Sequence, residues 1–436
     1  MTRWKQVPES SPAPSTILIA SPSPSPLRFQ VLPIAKELIN RAHSVHVVNL
    51  SSLSVEPPPV VAECEAAGVT LLQCAPPDLS KMPRMPSVFS RWTDTDWLSP
   101  NTQAWRMVEC VADFFSEFDN AFETSFQAAS AALASMPSSP DLLIIHGFDD
   151  AWINLAHKEH LPYAIFTPLP LGLRGWYGDV PAAPSGIYPV SAAQAMTLRG
   201  RATKLAGYLW MSIRQCRSKV ALNHTKRRLG LATYWLTNAL WKGHTVITTW
   251  PWGLEPAREA SPQLQHVGFP CLPWKAPQDL KDLSAENQEL IAWLDDNLAN
   301  GIVFLAYGSM LKMGWMLDAQ RHHLLLTAIT AFAAAKGAKV LLSLPAFEGD
   351  SAAIKGVLTK VGSAEGTIRQ EPWVDQPMVL EHAATRVFVS HCGQMSVGNA
   401  VVSRTPLLAV PVTTDGYANA MRVQDAARRR PNQEGS

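Results

Sequence analysis

The sequence has no charge surplus, no paired cysteines and no long apolar run, and each absence removes a class of function. Across 436 residues, 37 lysines and arginines nearly balance 36 aspartates and glutamates, for a formal net charge of +1. No bulk electrostatic footprint therefore points to nucleic acid or to an anionic membrane. The six cysteines, Cys64, Cys74, Cys110, Cys216, Cys271 and Cys392, are scattered without a Cys-x-x-Cys pair. That argues against a zinc ribbon or a disulfide framework and suits a reducing compartment, so a cytoplasmic protein is expected. No window of about 18 uninterrupted apolar residues occurs, which leaves no transmembrane segment, and the opening MTRWKQVPESSPAPS lacks the apolar core of a signal peptide. There is no repeat of fixed period, no P-loop and no Gly-x-Gly-x-x-Gly fingerprint. Function must then reside in local sites.

What is present is a rhythm. With 47% hydrophobic residues the chain is long enough for two domains, each with its own core, and so for a cleft between them. Short β-branched runs alternate with segments of helical spacing: TILIA (16–20) precedes 31–42, SVHVVNL (44–50) precedes 61–67, and DLLIIH (141–146) precedes 151–159. A second series runs GIVFLAYGS, a helix around 324–335, AKVLLSLP, a strand near GTIRQ, RVFVS, a helix, then PLLAVPV. Such continuous apolar strands predict parallel sheets buried on both faces. The expected class is α/β with two doubly wound domains: 1–269, a proline-stiffened linker at 270–282, and 283–436.

The stretch RVFVSHCGQMSVGNAV (386–401) carries the most chemistry. A buried strand enters the turn Ser390-His391-Cys392-Gly393, and a helix is expected to open near Ser396. In a doubly wound domain, ligands sit beyond the carboxyl ends of the strands, where a helix N-terminus offers N–H groups to an anion. Gly393 allows close backbone approach, Ser396 can donate a hydroxyl and His391 can donate from its ring. AYGSM, with Gly308 and Ser309, has the same form. Either turn alone also reads as an ordinary tight strand-to-helix connection.

Taken together, these residues resemble the UDP-glycosyltransferases. The family's signature box aligns without a gap from Trp373 to Gly416, retaining Gln376, Leu380, His382, Phe388, His391, Cys392, Gly393, Ser396, Pro406, Pro411 and Asp415. Upstream, GIVFLAYGSM, VITTWPWGLEP with QHVGFP, and PDLLIIHGFDDAWINLAHKEHLPYAIFTP are similar to further family stretches. The resemblance implies two facing Rossmann-like domains of GT-B type, with a UDP-sugar held by the second. It implies that Trp373 stacks on the base, that Gln376 meets base or ribose, and that His391 faces the diphosphate. Ser309, Gly393, Ser396, Asn399 and Asp415 occupy the other donor-site positions. The implied reaction is an inverting transfer to a hydroxyl of a small lipophilic acceptor such as a sterol, phenol or polyketide. It uses no cofactor beyond the UDP-sugar co-substrate and no metal.

Departures from the family pattern are concentrated at the base. The Gly-His pair expected after the first strand aligns with Pro26 and Leu27, and the aspartate that would orient that histidine aligns with His146. Leucine accepts no proton, which makes His146 the candidate base, oriented by Asp149 or Asp150. In the donor box Gln394, Met395, Asn399, Arg404 and Gly416 stand where the family has tryptophan, asparagine, glutamate, glycine and glutamine. Asn399 lacks the charge-assisted bond of a carboxylate. The basic ending AARRRPNQEGS replaces the family's closing helices, so a truncation is expected, with poor solubility as its consequence. A catalytically silent binding or regulatory relative is the alternative function. Asp94 to Asp96 read as a solvated loop, adjacent His322 and His323 face apart on a helix, and Trp250 and Trp252 line a pocket or pack a core.

Overall fold

The computed structural model describes residues 13–20, 31–50, 64–75, 79–84, 100–167, 197–234, 240–241, 243–251, 253–254, 262–270, 283–308, 319–343, 367–411 and 414–428. Two wholly parallel sheets organise them. The first contains β1 (Thr16–Ala20), β2 (Ser44–Leu50), β3 (Thr70–Cys74), β4 (Leu142–His146), β5 (Tyr163–Thr167), β6 (Val246–Thr248) and β7 (Leu264–His266). Their order across the sheet is β3-β2-β1-β4-β5-β6-β7. The second contains β8 (Ile302–Ala306), β9 (Lys339–Ser343), β10 (Ile368–Glu371), β11 (Thr385–Ser390) and β12 (Leu407–Ala409), ordered β10-β9-β8-β11-β12. Both are doubly wound, as the apolar runs predict, and the architecture is that of two Rossmann-like domains. Strand order reverses between β1 and β4 and again between β8 and β11, and these are the crevices where such sheets bind ligands.

The central strands are covered on both faces. Leu18, Leu143, Ile145 and Ile165 face one layer of core while Ile17, Ile19, Ile144 and Phe166 face the other. In the second sheet Val303 and Leu305 pack against one layer, and Phe304, Leu341 and Phe388 against the opposite one. This alternation of two apolar sets explains why the runs show no polar face. Helices α1 (Leu32–Asn40), α3 (Phe122–Ala134), α4 (Asp150–Lys158), α6 (Ala285–Asp296) and α7 (Ala319–Ala335) join the strands. A further pair, α2 (Pro100–Asn120) and α5 (Leu198–Arg228), packs side by side. Ion pairs hold this pair together: Arg214 with Asp113 at 2.9 Å and Lys219 with Asp119 at 2.8 Å.

The sequence expectations differ from the structure at some edges. The helix near 324 starts at Ala319. Strands β3, β5, β6 and β7 were not separately resolved by pattern, since β6 and β7 have three residues each and offer too few positions for periodicity. Residues 271–282 of the expected linker, Leu27, Asp94 to Asp96, Trp252 and Ser309 lie outside the described residues. No helix among the described residues is long and apolar enough to cross a membrane.

Candidate functional site

The second switch point is built around one imidazole ring. β11 ends at Ser390, whose hydroxyl accepts from the Cys392 N–H at 3.1 Å. The Asn419 amide of α10 (Thr414–Arg428) donates to the Cys392 carbonyl at 2.8 Å. These bonds hold Cys392 in the left-handed region at φ 63° and turn His391 back toward the end of β8. There the ring lies between two glycines. A methyl group at Gly308 would overlap His391 Cε1 and sit 2.5 Å from Nε2, and one at Gly393 would overlap Nε2 and sit 3.1 Å from Cε1. The turns after β8 and β11 that the sequence paired by form therefore meet through His391. Tyr307, beside Gly308, is buried, and its phenol is pushed well above the usual range by that burial.

Helix α9 (Gln394–Ser403) begins immediately after this ring. It opens two residues before Ser396, because Gly393 already has the N-cap conformation (φ −57°, ψ 148°), and no side chain caps it. Ser396 thus lies inside the first turn, buried, as is Asn399 one turn on. The first N–H groups of α9 and the His391 ring share one end of the sheet, a geometry suited to a dianionic group. Trp373 follows β10 with 39% of its surface exposed. Gln376 is the first residue of α8 (Gln376–Glu381), which packs against α9. Asp415 falls in α10, among whose residues Asn419 secures the turn.

Gln394, standing for the family tryptophan, has another use. Its side-chain amide donates to the Thr249 hydroxyl just beyond β6, which links the two sheets. Next to it Trp250 is fully buried against Cys392 and Val397, with the Arg422 guanidinium 5.9 Å from its ring. Trp250 is a packing residue at the seam and not a pocket wall. Nothing in the one-dimensional pattern pairs Gln394 with Thr249.

The first switch point is arranged differently. His146 ends β4, buried, and its Nδ1 accepts the Phe148 N–H at 3.2 Å. That bond leaves the neutral ring with its proton on Nε2 and no lone pair for an acceptor hydroxyl, so the ring is not poised as the base expected from sequence. Gly147 admits the Trp241 indole, 2.5 Å from where a methyl would stand. Asp149 N-caps α4, accepting from the Trp152 N–H at 3.3 Å, and burial, reinforced by Asp150, pushes its carboxyl up to about 7 despite these donated bonds. Sequence reasoning saw Asp149 only as a helix-start residue that could orient His146. Among the described residues no three His, Cys, Asp or Glu side chains are grouped to hold a metal ion.

Comparison with known proteins agrees with this fold. Residues 269–429 match the family model for UDP-glucoronosyl and UDP-glucosyl transferase. UDP-glycosyltransferase 90A2 of Arabidopsis thaliana is 39% identical over 74 residues, 17% of this chain and 16% of the relative. UDP-glycosyltransferase CGT of Oryza sativa subsp. indica is 32% identical over 182 residues, 38% of this chain and 36% of the relative. The chain thus spans about a third or less of these curated relatives' length. The fold match is wider. The glycotransferase of kitacinnamycin superposes with a TM-score of 0.61 at 17% identity, covering 95% of this chain and 84% of that one. LpCGTa in complex with UDP superposes at 0.53 and 18% identity, covering 94% and 83%.

Proposed function

We propose that the chain is a UDP-glycosyltransferase that moves a sugar from a UDP-sugar to a hydroxyl of a small lipophilic acceptor. Transfer inverts the anomeric carbon and needs no metal. The observation that carries this reading is the His391 ring wedged between Gly308 and Gly393 beside the uncapped start of α9. The diphosphate is held there by the ring and the first helix N–H groups, which stabilise negative charge as it grows on the leaving oxygen. Trp373 stacks on the base and Gln376 meets base or ribose.

In the transfer the acceptor oxygen bonds to the anomeric carbon, the bond from that carbon to the diphosphate oxygen breaks, and UDP leaves with the electron pair. The hydroxyl proton needs a base. We assign it to Asp149, whose carboxyl titrates near 7 at the N-cap of α4, because the lone pair of His146 Nδ1 is engaged. Replacing Asp149 by asparagine, which keeps the helix cap, lowers kcat/KM with a phenol acceptor by about 10²- to 10⁴-fold. The parent rate falls below pH about 7, where that carboxyl is protonated. His146→Ala has the smaller effect. A larger loss from His146→Ala than from Asp149→Asn reverses the assignment.

The engaged His146 favours a second reading, a silent relative that binds the nucleotide without turnover. Calorimetry separates the two. His391→Ala weakens UDP more than uridine under either reading, since only UDP presents a diphosphate. UDP binding without transfer selects the silent relative, and absence of UDP binding at millimolar concentration removes both.

A further inference from the structure

Helix α5 carries an apolar stripe that faces away from the protein. Leu198, Leu205, Leu209, Ile213 and Val220 are 86%, 45%, 57%, 65% and 42% exposed. Their spacings of seven, four, four and seven residues put them on one face of an α-helix. The opposite face is the one that packs on α2, through Arg214 to Asp113, Ser218 to Asp119 and Lys219 to Asp119. Trp210, 39% exposed, borders the stripe. Over the 31 residues of α5 there is no aspartate or glutamate. Arg199, Arg217 and Arg227 are exposed, and none is paired with a carboxylate among the described residues.

We propose that this face of α5 is a docking surface for an anionic lipid bilayer, with the helix lying in the interface and its arginines against the headgroups. Charge decides the occupant. A second copy would bring two acid-free basic helices together and repel, whereas an anionic surface attracts every arginine on this face. A neutral apolar surface would leave those arginines without counter-charge. An aliphatic stripe with a flanking tryptophan and basic residues is the composition of a helix that rests on a membrane without crossing it. The net charge of +1 conceals this, because it averages the acid-free helix with acidic segments elsewhere. At about 1.5 Å per residue the stripe from Leu198 to Val220 extends over roughly 33 Å, so several headgroups are spanned at once. A surface bound to a bilayer would also bring the acceptor half next to a reservoir of lipophilic molecules.

The test is co-sedimentation of the full chain with vesicles of phosphatidylcholine containing about a third phosphatidylserine, against vesicles of phosphatidylcholine alone. Binding is expected to the mixed vesicles only, and to be lost at about 0.5 M salt, where charges are screened within a few ångström. Leu209→Ser with Ile213→Ser lowers the bound fraction at least tenfold. Arg217→Glu lowers it by more than the about fivefold expected for loss of one positive charge. Both replace exposed side chains, and an unchanged melting temperature and circular dichroism spectrum show that the fold is kept. Equal binding to neutral and mixed vesicles, or none to either, overturns the proposal. So does a concentration-dependent dimer abolished by Leu209→Ser with Ile213→Ser, which assigns the stripe to a second copy. Retention on an acidic peptide without retention on vesicles likewise assigns it to a protein.

Discussion

In each sheet the fourth strand runs into a histidine near a glycine, His146 closing β4 just before Gly147 and His391 following the last residue of β11 with one residue between it and Gly393, and the two glycines serve opposite purposes. After β11, Gly393 opens space that His391 itself occupies, so the ring is displayed at the crevice between β8 and β11. After β4, Gly147 opens space that the Trp241 indole fills from below, and the His146 ring turns in to accept the Phe148 N–H. One turn packs its histidine against the glycines that follow β8 and precede α9, and the other bonds it to its own backbone. The comparison teaches that a shared strand-end pattern does not carry a shared role. Under the proposed function, the second half holds the diphosphate, while Asp149 at the helix cap takes the acceptor proton in the first.

The sharpest way to break this contrast is to add one methyl group to each glycine. Gly393→Ala meets the His391 ring with no backbone penalty, since its φ is −57°. Overpacking there costs about 1–3 kcal/mol, and UDP affinity falls at least tenfold because the ring is displaced. Gly147→Ala drives a methyl into Trp241 and costs a similar amount of stability, yet UDP affinity stays within a factor of two. Thermal melts and UDP calorimetry on both variants check this. Equal losses of UDP affinity would erase the distinction between the turns.

Titration separates the halves next. Asp149 has its carboxyl raised from 3.8 to about 7, chiefly by burial. Between those values the folded state binds the proton that the unfolded state releases, so this group lowers stability as pH rises from about 4 to 7. Asp149→Asn is therefore more stable than the parent at pH 8, by about 1–3 kcal/mol, and equal to it near pH 3. Lys226 works at the other end of the scale. Its fully buried ammonium lies 3.8 Å from the centre of the Tyr234 ring and 4.9 Å from that of Phe122. Burial lowers its pKa to about 8, against the favourable influence of Asp150. Between about 8 and 10.5 the unfolded chain holds more protons, and stability from this group rises with pH. The stability difference between Lys226→Met and the parent thus shrinks across that interval, read from urea melts at pH 7 and pH 10. A difference constant with pH would mean that burial does not move the Lys226 pKa away from that of the unfolded chain.

Most of the architecture was legible because the core strands are continuous apolar runs bounded by turn residues. TILIA and SVHVVNL appear as β1 and β2 with the bounds the runs suggest, and GIVFL as β8, shifted one residue onward to Ile302–Ala306. The meeting of the two Gly-containing turns was legible as a parallel in form, and its physical basis, a ring shared by both, needs a contact between residues far apart in sequence. The same limit hid the first half. His146 and Asp149 were visible as residues, but whether a ring nitrogen accepts from Phe148, or whether burial raises a carboxyl, depends on what folds over them. The outward stripe on α5 was hidden for a related reason. A helix with apolar positions on both its packed and its exposed face shows little net periodicity, and only the contact with α2 reveals which face is covered.

The smallest effect concerns how helices end in each half. Arg404, at the end of α9, has φ 59°, and His160, just past α4, has φ 54°. Both ends close alike: the Thr405 N–H donates to the Ala400 carbonyl at 3.0 Å and the Leu161 N–H to the Ala156 carbonyl at 2.9 Å. These are bonds of the kind that favour glycine at the left-handed residue. A side chain there costs about 1–2 kcal/mol against a right-handed conformation, while glycine adds freedom to the unfolded chain and returns about half of that gain. Arg404→Gly and His160→Gly should each stabilise by about 0.5–1 kcal/mol and should add in the double variant, since they sit in different sheets' layers. Urea melts of the two single variants and the double variant check this. A gain at His160 without one at Arg404 would mean that the arginine side chain supplies compensating contacts, and the second half would then be the more finely adjusted of the two at its helix end as well as at its strand end.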